Sequence, residues 1–487
     1  MLKSFRVHHP HKAAATRYYP DMWNVETSFQ DAEKAVFWTS QPRPVPKQDP
    51  LAGDTTADLL IIGGGFTGLW AAIIAKQRNP ARDVLVLEME EIAFGASGRN
   101  GGFIDPSLTH GFENGLARYD PAEVRTLIRL GHESFAEIEK VIAGHAIDCD
   151  FHREGTLWGA TDPYMLDGLG DVVAHYNMFI SGGEVLDQDG IRKLIASPLY
   201  LGGIRFGQEG GLVDPARLAW GLLRVALELG VRVHERTQVA RLVDRGTSVE
   251  VTTDRGTVRA QRILHATSAY PGVIPAIRHY VAPVYDYVLM TEPLSEAQHA
   301  EIGWQTRFGL ADGGNQFIYA RMTSDHRILY GGWDAVYQPN GRVSPVYDVR
   351  DASHRFLAER FFRTFPQLEG LRFSHRWGGA IDTCSRFAVF FDTLMGGKVA
   401  YAAGYTGLGV GASRFGAATA LDLVDGIDSE ATRLSLTRKR PLPFPPEPLR
   451  RPVIHTVQWA LADADRNQGR RNLLLRSLDR LGLGFDS

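Results

Sequence analysis

The run Gly63-Gly64-Gly65-Phe66-Thr67-Gly68 turns the chain with almost no side-chain bulk, and Glu88 follows about 20 residues after its last glycine. In this GxGxxG spacing the first glycine makes a tight turn, the second lets backbone approach a pyrophosphate, and the third lets a helix pack on a strand. The helix start then offers free amides and partial positive charge to two phosphates, while Glu88 can accept hydrogen bonds from a ribose diol. Both FAD and NAD use such a turn, and two further segments favour flavin. Gly95-Ala96-Ser97-Gly98-Arg99-Asn100-Gly101-Gly102 could lie against a flat polar ring, with Ser97 and Arg99 available to phosphate. Gly404-Tyr405-Thr406-Gly407-Leu408-Gly409-Val410-Gly411 opens a late helix. Because no acidic residue ends a strand about 20 positions on, its better role is to aim that helix's positive end at the flavin pyrimidine; glycines serving close helix packing are the alternative. Tyr285 and Tyr287 share a face of a period-two strand; they are candidates for a wall over the flavin or for ordinary cross-strand packing. Arg321, mid-strand among apolar residues, is a candidate for binding an anionic substrate group or a partnered structural arginine.

The elements that must position these residues can be read from the pattern. Asp58 to Ile62 is an apolar strand running into the glycine turn, Gly68 to Lys76 a helix stopped by Asn79-Pro80, and Val84 to Leu87 a second strand ending at Glu88. Near-continuous apolar strands in a βαβ unit imply a parallel sheet buried on both faces. Asp214-Pro215 caps a helix running to Leu229 with Gly230 as terminator; strands follow at Val231 to His234, Ser248 to Thr253 and Arg262 to His265, and later at Val399 to Ala403 before a helix from about Gly411 to Val424. Three sheet-forming blocks separated by two long insertions predict an α/β fold: a discontinuous nucleotide domain over 51–115, 207–270 and 376–430, with a second domain from 116–206 and 271–375 threaded through it. Residues 1–50, rich in proline and aromatics (Tyr18, Tyr19, Trp23, Phe37, Trp38), predict a surface arm without regular period. Residues 431–487 predict a stiff Pro-rich linker and an amphipathic helical tail from Val453 to Leu481.

The 487 residues are 44% hydrophobic, enough for two or three domains with their own cores. A formal charge of −3 gives no basic field for nucleic acid or an anionic membrane. Cys149 and Cys384 are the two cysteines, far apart, which argues against a disulfide framework or a zinc site. No run of about 18 apolar residues occurs, and the first dozen residues lack a secretory apolar core. The expectation is a cytoplasmic protein with no membrane span and no bound metal.

At these residues the sequence resembles the glycine-oxidase and D-amino-acid-oxidase-like (DAO) flavoproteins, nearest their gamma-glutamylputrescine oxidase branch. The likeness covers about 55–430. It is carried by Ile61 to Leu69, Phe94 to Gly102, Gly211 to Leu218, Val284-Tyr285-Asp286-Tyr287 with Thr291-Glu292-Pro293-Leu294, Tyr319-Ala320-Arg321-Met322 with Gly331-Gly332, Trp377 to Asp382, and Gly404 to Val410. The resemblance implies a Rossmann-like FAD-binding domain of the glutathione-reductase type and an α+β substrate domain on an antiparallel sheet over the flavin. It implies that Val239 contacts adenine through its backbone, that Thr267 joins the cofactor-binding residues, and that Trp377 and Asp382 flank the flavin edge, core packing and a turn cap being their alternatives. The implied reaction is oxidation of a primary or secondary amine by hydride transfer to flavin N5, the imine then hydrolysing, with oxygen or another electron acceptor taking the electrons.

Three departures shape what carries over. Glycine-oxidase-like members place an arginine soon after Trp-x-Gly to clamp an α-carboxylate, whereas this chain reads Trp377-Gly378-Gly379-Ala380-Ile381; an amine with its anionic group elsewhere, such as a gamma-glutamylated polyamine, is the better expectation. Sarcosine-oxidase-like members carry a lysine near the flavin, and Asn315 to Trp333 has none. They also bind flavin through a cysteine near that Trp-x-Gly region, but Cys384 lies several residues past it, so the expectation is non-covalent FAD. A flavoprotein subunit active only in a larger assembly, or a D-amino-acid or N-methyl-amino-acid dehydrogenase, are the alternatives, and self-association into a homo-oligomer stays open.

Overall fold

The computed structural model describes residues 25–480 except 208 and 271; Tyr18, Tyr19, Trp23 and Leu481 lie outside them. The strand Thr55–Ile62 sits mid-sheet, parallel to Val84–Leu87 on one side and to Thr257–His265 on the other. Arg232–His234 extends the sheet beyond Val84–Leu87, and Val399–Ala403 extends it beyond Thr257–His265, both parallel; Phe390–Leu394 closes that edge antiparallel. Leu59, Leu60 and Ile61 are wholly buried because both faces of the sheet are covered. The helices Phe66–Arg78, Pro215–Glu228 and Gly409–Asp425 pack together on one face, their Trp70, Leu222 and Leu421 in one core. Each expected signal operates locally: the Asp214 carboxylate accepts the Arg217 amide at 3.0 Å behind Pro215, and Gly230 ends that helix at φ +80°.

The second sheet has nine strands centred on Ala282–Thr291. It is antiparallel except where Gly309–Asp312 runs parallel to Thr156–Ala160. Four boundaries differ from the sequence reading. The strand Phe373–Thr383 pairs with Ala282–Thr291 over nearly its whole length, so the chain returns to the nucleotide unit after 383 rather than at 376; Trp-Gly-Gly-Ala is too short of bulk to show which sheet it joins. The helix Pro121–Gly144 follows the start of the first insertion, yet its apolar stripe of Val124, Leu127, Phe135 and Ile138 joins the nucleotide-unit core. Over 25–50 the arm runs mostly exposed or half-buried but is anchored by a few buried residues. Trp38 is buried with its indole N–H donating to Asn100 O at 2.9 Å, and Glu33 bridges to His375 at the end of the second sheet. The tail is two helices, Arg450–Arg466 and Leu473–Arg480, because Gln468 and Gly469 adopt positive φ between them.

Candidate active site

Gly63 takes φ +108°, and a Cβ there would overlap the Ala266 carbonyl; a Cβ on Gly68 would overlap Gly63 O. These two glycines make the turn and the helix packing possible. Gly65 differs: a Cβ would meet only Ser97 Oγ, at 2.9 Å, so its outward side is open for a ligand. Phe66 N donates to Ser97 Oγ at 2.9 Å, and Glu88 accepts from Gly64 N at 2.7 Å and Glu90 N at 2.9 Å. Burial raises the Glu88 pKa while those amides oppose the shift.

A cavity of about 1540 Å³ runs from this turn to the second sheet. It gathers Gly63, Gly65, Phe66, Thr67, Glu88, Ser97, Asn100, Gly101, Val239 and Thr267 at one end, and Thr406, Gly407, Leu408 and Gly409 beside them. Residues from six separated stretches of the chain thus meet along one groove. Leu408 caps the helix Gly409–Asp425 without a side-chain hydrogen bond, so the helix presents its amide end to the cavity. A dinucleotide suits this lining, since an open glycine, a helix amide end and a carboxylate all face the cavity. Gly68, Gly98, Gly102 and Gly404 are not on its wall. A Cβ at Gly98 would overlap Ala93 O and one at Gly102 would overlap Val213 O, so these residues let segments pack closely behind the wall.

Arg99 departs from its expected role, while other side chains take one of the two roles that the sequence left open. Arg99 reaches the cavity wall, but its guanidinium donates to Asp348 at 2.6 Å, Phe94 O at 2.8 Å and Gly378 O at 3.1 Å, tying the loop to the second sheet rather than presenting to phosphate. Arg321 is wholly buried off the cavity. It donates to the Gly101 and Val213 carbonyls, lies 3.7 Å from Asp150 and stacks over Trp38, so it is the structural arginine; burial lowers its pKa to about 10. Tyr285 and Tyr287 do share a face, but it is the face away from the cavity: Tyr285 OH donates to Ser344 O at 3.1 Å and Tyr287 OH to Tyr347 O at 3.0 Å. Trp377 is on the cavity wall, its indole donating to Arg99 O at 2.9 Å. Asp382 accepts the Gly404 amide at 2.7 Å and caps the late glycine turn, burial pushing its pKa up to about 6. Cys384 is buried behind that turn, hydrogen-bonded to Ala388 O and Gly404 O.

The alternation that turns the tyrosines away brings Val284, Asp286 and Val288 to the cavity. Across the sheet stands Tyr319, whose hydroxyl donates to Asp286 Oδ2 at 2.6 Å. Neither was singled out from sequence, although a lone carboxylate inside Ala282–Thr291 was a readable signal. The tail also reaches the cavity: Phe444, Ile454, Leu461 and Leu478 line its outer part. Asp465 anchors it by accepting Asn315 N at 3.0 Å, Asn315 Nδ2 at 2.6 Å and Gln316 N at 3.0 Å. Among the described residues no cluster of His, Cys, Asp or Glu could hold a metal, and no helix is long and apolar enough to cross a membrane.

A dinucleotide cradle opening into a cavity roofed by a separate sheet defines a flavin-type oxidoreductase. The family model for FAD-dependent oxidoreductases (DAO) matches residues 58–423, and the chain belongs to that family, with FAD as its cofactor. It is 31% identical over 406 residues to gamma-glutamylputrescine oxidoreductase of Escherichia coli (strain K12), covering 82% of this chain and 90% of that protein. It is 28% identical over 372 residues to the probable oxidoreductase OrdL of Haemophilus influenzae, covering 74% and 81%. Among solved structures, glycine oxidase from Geobacillus kaustophilus superposes with a TM-score of 0.65 at 19% identity, covering 79% of this chain and 99% of that one.

Proposed function

We propose that this chain oxidises a primary or secondary amine at the carbon bearing nitrogen, the product imine hydrolysing to a carbonyl compound and an amine or ammonia. The observation that carries the reading is the charge of the cavity wall. Among the described residues lining it, Arg99 is the single arginine or lysine, and that arginine is bonded to Asp348. An α-amino acid oxidase needs a cation for the substrate carboxylate; here no arginine or lysine is spare, since Arg321, one candidate anion receptor, lies buried off the cavity with its Nη1 on the Gly101 and Val213 carbonyls. The likeness to a protein named for gamma-glutamylputrescine supports an amine whose reacting end is free of carboxylate.

Gly65, Ser97, Glu88 and the amide ends of Phe66–Arg78 and Gly409–Asp425 would hold FAD, Glu88 at ribose and the helix ends at negative charge. FAD bound there would supply the two-electron acceptor for the amine. The rest is positioning: Trp377 and the strand Ala282–Thr291 wall the substrate, and the tail's Phe444, Ile454 and Leu461 exclude water from the outer cavity. Assay of ammonia and aldehyde from a panel of alkylamines, gamma-glutamylputrescine, sarcosine and D- and L-amino acids tests this. Release from carboxylate-free reacting ends is expected; turnover confined to α-amino acids would contradict it.

A further inference from the structure

Asp286 lies in the middle of an apolar strand with Val284 and Val288 beside it on the cavity face. Its Oδ1 accepts the Tyr287 amide at 2.8 Å and its Oδ2 the Tyr319 hydroxyl at 2.6 Å. The Gly332 backbone also hydrogen-bonds the group; on a carboxylate with about four lone-pair sites, these three bonds fix it and still leave it able to accept from a ligand. Tyr319 is itself braced edge-on against Phe103 at 5.8 Å. The other charged group near Asp286 is Asp334, on the turn after Ile328–Gly332, and Arg350 holds that carboxylate at 2.9 Å with Ser353. Arg99 faces Asp348. Asp286 is thus a sunken anion with a hydrogen-bonded brace and no cationic partner among the contacts described for it.

Resting on the amine reading above, we propose that Asp286, braced by Tyr319, receives the ammonium group of the substrate and accepts one of its protons. The step is needed because a protonated nitrogen has no lone pair to support loss of hydride from the adjacent carbon. One substrate N–H bond breaks, one Asp286 O–H bond forms, and the electron pair stays on nitrogen. Burial pushes the Asp286 pKa up to about 6, which makes it a better proton acceptor than an exposed aspartate. The substrate class follows: amines that arrive as cations with no carboxylate on the reacting carbon, since a second anion beside Asp286 would be repelled with no spare arginine or lysine to offset it.

The test uses FAD-loaded protein and a pair of probes without an α-hydrogen, tert-pentylamine and the isosteric tertiary alcohol, with binding read from the flavin band. Above pH 6 the native protein should bind the amine about tenfold to a hundredfold tighter than the alcohol, and Asp286→Asn should abolish that preference while retaining flavin. Equal binding of amine and alcohol by the native protein, or a preference that survives Asp286→Asn, overturns the assignment. Tyr319→Phe removes a bond that lowers the Asp286 pKa, so the acid limb of the preference should move to higher pH; an unmoved limb also overturns it. A cation preference in a protein whose flavin no oxidisable amine bleaches would uphold the receptor and sink amine oxidation. Bleaching without the preference would do the reverse.

Discussion

Gly65 and Gly68 look alike in sequence but do different physical work. A side chain at Gly65 meets only the Ser97 hydroxyl, while one at Gly68 meets backbone. Gly65→Val should therefore yield folded protein with FAD content reduced at least about tenfold, whereas Gly68→Ala should lower the melting temperature of the apoprotein itself; flavin absorbance and apoprotein melts separate the two. Asp286 makes a second residue-scale prediction. Its folded pKa, about 6, lies above the value near 4 of an unfolded aspartate, so its contribution to stability is full below about pH 4 and is lost as pH rises to about 6. Asp286→Asn should accordingly melt higher than the native protein above pH 6, by about 1–3 °C for a chain this long, and equally near pH 4. A variant that melts lower at pH 8 would contradict the sign. The tight turn at Gly63 and the close helix packing at Gly68 were legible because they depend on backbone and spacing. Which face of Ala282–Thr291 meets the cavity was not, because alternation tells which residues share a face and not which side the fold covers.

At the scale of elements, the helix starts and stops at Asp214, Pro215 and Gly230 were readable from local chemistry alone. The ownership of Phe373–Thr383 was not: it is decided by partners some 90 residues earlier in the chain, as is usual for non-local strand pairing. The tail's division followed from Gln468 and Gly469, a break that the apolar period on either side concealed. Its docking rests on Asp465, which accepts three hydrogen bonds from the 315–316 backbone and Asn315 side chain. Asp465→Ala should leave FAD content unchanged but raise KM for the best amine several-fold and speed proteolysis after Arg466, through a loss of about 1–3 kcal/mol in docking. Unchanged KM and digestion would mean that the tail's apolar contacts hold it without Asp465.

For the whole molecule, the three-block pattern announced the discontinuous nucleotide unit, and the observed parallel order of five strands around Thr55–Ile62 follows it. The second sheet was expected as an antiparallel roof, and its one parallel pair was hidden because Thr156–Ala160 and Gly309–Asp312 are short and far apart in sequence. The cavity joins both units, so cofactor and substrate chemistry are properties of the assembled chain. Visible spectra of the purified protein during anaerobic titration with amines, followed by acid precipitation, test the account most directly. A flavin band bleached by amines with carboxylate-free reacting carbons and a yellow supernatant after acid are expected, since Cys384 is buried behind the glycine turn. A band that only α-amino acids bleach, or flavin that stays with the precipitated protein, would contradict it.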